Sequence, residues 1–124
     1  MTSDHFQWSY DHVKVRSESS PFGSRSRTRV LVALARMGES YPRELARVLE
    51  LSLFSVKRAL RTLELDALVV ARSMGRTRLY QLNPRYFARR DLDRYLSRLA
   101  EADGELNQTL SLLRRRPRRT GKPL

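Results

Sequence analysis

Between Glu44 and Leu63 the chain reads ELARVLELSLFSVKRALRTL. Apolar side chains recur at Leu45, Ala46 and Leu49, then at Val56, Ala59, Leu60 and Leu63, with Leu51-Ser52 between the two sets. Both sets have helical spacing. A serine placed just before an apolar-periodic run can cap it by accepting from a backbone N–H in the first turn. The stretch therefore predicts two short helices, Glu44–Leu49 and Leu53–Leu63, joined by a tight turn and capped at Ser52. Val56, Leu60 and Leu63 face inward on the second helix. Phe54, Ser55, Lys57, Arg58, Arg61 and Thr62 face outward. A short helix with a cationic, hydroxyl-bearing outer face suits the DNA major groove, where Arg and Lys meet guanine or phosphate and Ser and Thr meet either.

A second pattern follows directly. Leu68–Ala71 and Thr77–Leu82 are short β-prone runs, and Ser73-Met74-Gly75-Arg76 between them makes a β-hairpin. Strand alternation places Thr77, Leu79 and Gln81 on one face and Arg78, Tyr80 and Leu82 on the other. Upstream, Val30, Leu31, Leu34 and Met37 form an apolar helical stripe, opened by Ser24 or Ser26 and closed by Gly38. Arg25, Arg27, Arg29 and Arg36 are expected around its outside. Pro42 starts the next helix and Ser40-Tyr41 supplies a short strand before it.

The run Glu44, Leu45, Ala46, Leu49, Leu51, Ser52, Val56, Arg58, Leu60 and Leu63 resembles the helix-turn-helix of winged-helix transcription regulators, especially the ArsR-like group. G-R-x-R-x-Y-x-L-N, from Gly75 to Asn83, resembles the wing of the same family. Phe22-Gly23-Ser24 resembles the family's opening. The resemblance implies a mainly α fold with a small β-hairpin, a winged helix-turn-helix. It also implies sequence-specific binding of double-stranded DNA, with the recognition helix in the major groove and the wing on the backbone or minor groove. The DNA contacts it implies are Arg43, Ser52, Leu53, Phe54, Ser55, Lys57, Arg58, Arg61, Thr62, Arg72, Arg76 and Arg78. Two departures stand out. Ala67 occupies a position where the family has a helix-ending glycine, so the left-handed residue is expected at Asp66 instead. Leu53 and Phe54 stand where the family often has polar residues. They fit either thymine methyl groups or a protein interface.

Charge is unevenly distributed. The 124 residues carry a net +12; residues 25–83 alone hold twelve basic and five acidic groups, and residues 114–124 hold six basic and none acidic. That favours a polyanionic partner, since phosphate neutralisation releases counterions. The chain has no cysteine, which excludes thiolate chemistry and disulfides. The metal-sensing ligands of part of the ArsR-like group are missing: LSLFS has no cysteine and the C-terminal helix no histidine. His5 and His12, with Asp4 and Asp11, are too sparse a set for a metal site. No nucleophile–base pair, carboxylate pair or phosphate-cradling loop is recognisable, so neither an enzyme nor a cofactor is expected. No apolar run approaches the roughly 18–20 residues of a membrane span, and a cytoplasmic protein is expected.

The domain plan follows. Residues 1–23 form a flexible arm in which Phe6, Trp8, Tyr10, Val13 and Val15 could anchor. Residues 24–83 form the DNA-binding domain. Residues 84–113 form one helix, starting near Tyr86 or Arg90. Residues 114–124 form a disordered basic tail. Leu92, Leu96, Leu99, Leu106, Leu110 and Leu113 recur in alternating steps of four and three, with Asp103 in the missing slot. This stripe is expected to be a homodimer seam, bent or weakened at Asp103-Gly104; a single helix packed within its own chain would give a similar stripe. The alternatives to a specific regulator are a winged-helix adaptor beside a nucleotidyltransferase or replication protein, and a nonspecific architectural DNA binder. Whether a small molecule acts as effector is not given by the sequence.

Overall fold

The computed structural model describes residues 21–115, with side chains to residue 112. The expectations for the N-terminal arm up to residue 20, including the His5–His12 region, and for the tail from residue 116 lie outside the described residues.

Five helices and a three-stranded antiparallel sheet follow one another: α1 (Arg25–Met37), β1 (Glu39–Ser40), α2 (Pro42–Leu49), α3 (Leu53–Leu65), β2 (Val69–Met74), β3 (Thr77–Leu82), α4 (Arg89–Ala102) and α5 (Gly104–Arg115). The sheet order is β1-β3-β2. Among the described residues no helix is long and apolar enough to cross a membrane.

Local chemistry sets most boundaries. The Ser24 hydroxyl accepts from Arg27 N–H at 3.1 Å and opens α1. Pro42 opens α2, where a missing N–H costs nothing. The buried Ser40 hydroxyl donates to the Glu44 carboxylate at 2.6 Å, tying β1 to the first turn of α2. The Ser52 hydroxyl accepts from Ser55 N–H at 3.0 Å and caps α3 as expected.

Both helices of the helix-turn-helix end in the same way. At the end of α2, Leu51 N–H reaches back to the Ala46 carbonyl, with Glu50 in the left-handed conformation between them (φ 56°). At the end of α3, Leu68 N–H bonds the Leu63 carbonyl and Ala67 N–H the Glu64 carbonyl, with Ala67 left-handed (φ 65°). These are the backbone bonds of a Schellman turn. The expectation that Asp66 would adopt the left-handed conformation is corrected. Asp66 stays at φ −83°, its N–H still on the Thr62 carbonyl in helical register and its carboxylate paired with Arg27 Nη2 at 2.6 Å, and the left-handed residue is the alanine after it.

The hairpin pairs Val69 with Leu82 through to Met74 with Thr77, leaving Gly75 and Arg76 as a two-residue loop. Gly75 has φ 64° and Arg76 does not share a positive φ. Such a loop needs glycine at its first central position, as in a type II′ turn. At the other end, Asn83 donates from Nδ2 to the Ala67 carbonyl and from its backbone to the Leu68 carbonyl, both at 2.9 Å. The hairpin base is thus fastened to the turn that ends α3.

The C-terminal third differs most from expectation. One helix was expected; there are two, broken at Asp103. Asp103 N–H closes α4 on the Leu99 carbonyl, and its carboxylate accepts from Leu106 N–H at 3.1 Å to open α5. The residue that interrupts the leucine repeat is therefore a cap. The dimer-seam expectation is corrected too. Leu92, Leu96, Leu99, Leu106 and Leu110 are all buried within the single chain, in one cluster with Val30, Leu31 and Leu34 of α1 and Leu60 and Leu63 of α3. Leu113 lies on α5 beyond the described side chains. Residues 24–83 and 84–113 thus share one core. The physical reason is coverage: α1 is apolar on more than one side, with Val30 to Leu34 all buried, and α4 and α5 fold back to cover it.

Candidate nucleic-acid interface

On α3, Val56, Ala59, Leu60 and Leu63 are buried and fix the helix on the core. At about 100° per residue, Phe54, Lys57, Arg58, Arg61 and Leu65 fall on one stripe directly opposite them. All five are exposed. No ion pair or hydrogen bond engages the side chains of Lys57, Arg58 and Arg61 among the described residues. The same holds for Arg43 on α2 and Arg76 at the hairpin tip. Arg47, on the exposed side of α2, is a further cation unengaged among the described residues, and one that sequence reasoning missed. Its signal was present, since it lies one turn after Arg43. Cations held away from any carboxylate keep their full charge for an external anion.

Other expected contacts are committed within the chain. Thr62 sits to the side of the stripe, not on it. Its hydroxyl accepts from Arg27 Nη1 at 2.7 Å and donates to the Ala59 carbonyl at 3.0 Å. Arg78 pairs with Glu64 of α3 at 2.9 Å and lies over the Tyr80 ring at 5.7 Å. Arg72 lies 3.6 Å from Glu39. Arg78 therefore braces the hairpin against the helix, and Arg72 ties β2 to β1. Ser52 and Ser55 are joined by a 2.9 Å hydroxyl–hydroxyl bond at the α3 N-terminus. Leu53 is half-buried, whereas Phe54 beside it is 73% exposed.

The arginines of α1 also differ from the expectation of an outer ring. Arg27 donates to the Phe22 carbonyl at 2.6 Å as well as to Thr62 and Asp66. Arg29 lies 3.9 Å from Asp103, and Arg36 donates to Asn107. Only Arg25 of the four is exposed. Arg27 thus holds the C-terminal end of α3 to α1 and sets the angle at which the cationic stripe is presented. Apart from Phe22, these partners lie 35 to 74 residues away in sequence, where no local pattern can reveal them.

The site has a definite geometry: a capped helix showing a cationic stripe, a two-residue-tipped hairpin braced against it by Arg78–Glu64, and a three-strand sheet behind. No family model matches the chain, and no curated protein matches it. Solved structures do. A doubly substituted variant of ZitR from Lactococcus lactis aligns with TM-score 0.53 at 20% identity, over 74% of this chain and 58% of that one. The fold is a winged helix-turn-helix. A second structure of that variant, in apo form, aligns with TM-score 0.43 at 18% identity, over 73% and 77% of the two chains. This chain spans 58% of the length of the first of these. In this fold α3 is the second helix of the helix-turn-helix and the β2–β3 hairpin is the wing.

Proposed function

We propose that this winged helix is a transcription regulator that binds double-stranded DNA sequence-specifically. The observation that carries the reading is the α3 stripe, where Lys57, Arg58 and Arg61 are exposed and, among the described residues, without a carboxylate partner. The eight residues from Phe54 to Arg61 span about 10 Å along the helix axis, which matches a major groove about 12 Å wide. In this reading Lys57, Arg58 and Arg61 meet bases and phosphates. Arg43 and Arg47 meet the flanking backbone, and Arg76 reaches a phosphate or the minor groove from the wing tip. Arg72 and Arg78 act by holding the wing, and Thr62 by holding the helix.

A homodimer belongs to the same reading. One recognition helix reads few base pairs, and a two-fold dimer reads two half-sites about one helical turn apart. With the leucine stripe consumed by the chain's own core, the contact falls to apolar residues that α4 and α5 leave outside, Tyr95 and Leu112. The adaptor reading draws support from one observation: Leu65 is 79% exposed at the far end of the α3 stripe, where a protein surface would cover it.

The test is titration of random and selected duplexes at two salt concentrations. A regulator prefers the selected duplex, and its affinity falls by roughly 10³–10⁵ between about 50 and 200 mM salt if six to ten phosphates are contacted. Salt-insensitive or absent binding overturns the reading in favour of the adaptor. Salt-sensitive binding with no preference makes the protein an architectural binder.

A further inference from the structure

Phe54 has no place in the core and no place in the electrostatic account of the interface. Its ring is 73% exposed at the second position of α3 and stacks on no other described aromatic ring. The neighbouring Leu53 turns half inward and, among the described residues, leaves the exposed apolar surface at this end of the helix to Phe54. Leaving a phenylalanine side chain in water forgoes a large hydrophobic gain, so an exposed ring at an interface is accounted for by what later covers it. Two features say what that is. The ring shares its stripe with the cations Lys57, Arg58 and Arg61, unpaired among the described residues, which an anionic partner must approach together with it. It also stands at the N-terminal end of the helix, and the first residues of a recognition helix are those that reach base edges.

We propose that Phe54 is a specificity-determining residue that packs against the C5-methyl groups of thymine in the major groove. Thymine alone among the four bases presents an apolar group on that edge, so an aromatic side chain discriminates for it without a hydrogen bond. The cations supply affinity that any sequence shares; Phe54 supplies a preference for thymine beneath the α3 N-terminus. This rests on the DNA-binding reading above.

The experiment removes the methyl group and nothing else. Preferred duplexes are selected from a random pool with the full chain, and each thymine is then replaced singly by deoxyuridine, which keeps every hydrogen-bonding group. Replacement at the contacted thymine should weaken the wild type about fourfold, the value of one buried methyl-sized group, and replacements elsewhere should change nothing. Phe54→Ala should bind the thymine and deoxyuridine duplexes equally. Phe54→Leu, which keeps an apolar side chain, should retain part of the preference. Because the ring is outside the core, both variants should melt with the wild type. Indifference of the wild type to every replacement, or full methyl sensitivity in Phe54→Ala, overturns the proposal while leaving specific DNA binding intact. Failure to select any preferred duplex overturns both.

Discussion

Leu96→Ala tests whether the C-terminal leucines belong to the chain's own core. Leu96 has no exposed surface and lies mid-way along α4, in the cluster shared with α1 and α5. Truncation deletes three carbon groups, and at about 0.8 kcal/mol each the lost transfer energy is about 2.4 kcal/mol. The cavity left behind adds to this and brings the cost to about 3–4 kcal/mol. That is a large share of the roughly 5–15 kcal/mol that holds a domain together. At about 4–8 °C per kcal/mol for a domain of this size, the melting temperature should fall by roughly 12–30 °C. The assay is urea and thermal unfolding of wild type and variant at two widely separated protein concentrations. An intrachain contact gives the same loss at both. A contact between subunits would make the wild-type transition rise with concentration and the variant's rise vanish. That pattern, or a loss below about 1 kcal/mol, would refute burial of Leu96 within its own chain.

Three further outcomes are expected. Ala67→Gly should stabilise by about 0.5–1 kcal/mol in urea unfolding, because a left-handed alanine is strained where glycine is not. Asp103→Ala should cost about 1 kcal/mol as α5 loses its cap, and helical signal by circular dichroism should be lost in part before the main transition. Arg58→Ala and Arg61→Ala should each leave unfolding within about 0.5 kcal/mol of wild type, since neither side chain has a partner among the described residues; each should weaken binding to a selected duplex by about 1–3 kcal/mol where a base contact is lost.

Local rules account for what the sequence determined. The two helices around Leu51-Ser52, the Ser52 cap, the helix from Arg25 to Met37 and the hairpin turning at Gly75 all follow from apolar period, capping side chains and turn residues. Each depends on residues within one or two turns of one another. The cationic stripe was legible for the same reason: Lys57, Arg58 and Arg61 are placed by the period of one helix. Tertiary structure decided what each exposed-looking group does. Thr62 lies beside the stripe, and Arg27, 35 residues earlier, turns it from a contact into a support. Arg78 reads as a wing cation until Glu64 is beside it. Glu50 and Ala67 carry no turn signal of their own, yet both take left-handed turns because the helices on either side are fixed by packing and the chain between them must reverse. The leucine repeat marks the same apolar stripe whether a second chain or α1 covers it. Periodicity names the face that is buried; only the folded chain, by bending at Asp103 and bringing α4 and α5 back onto α1, names the surface that buries it.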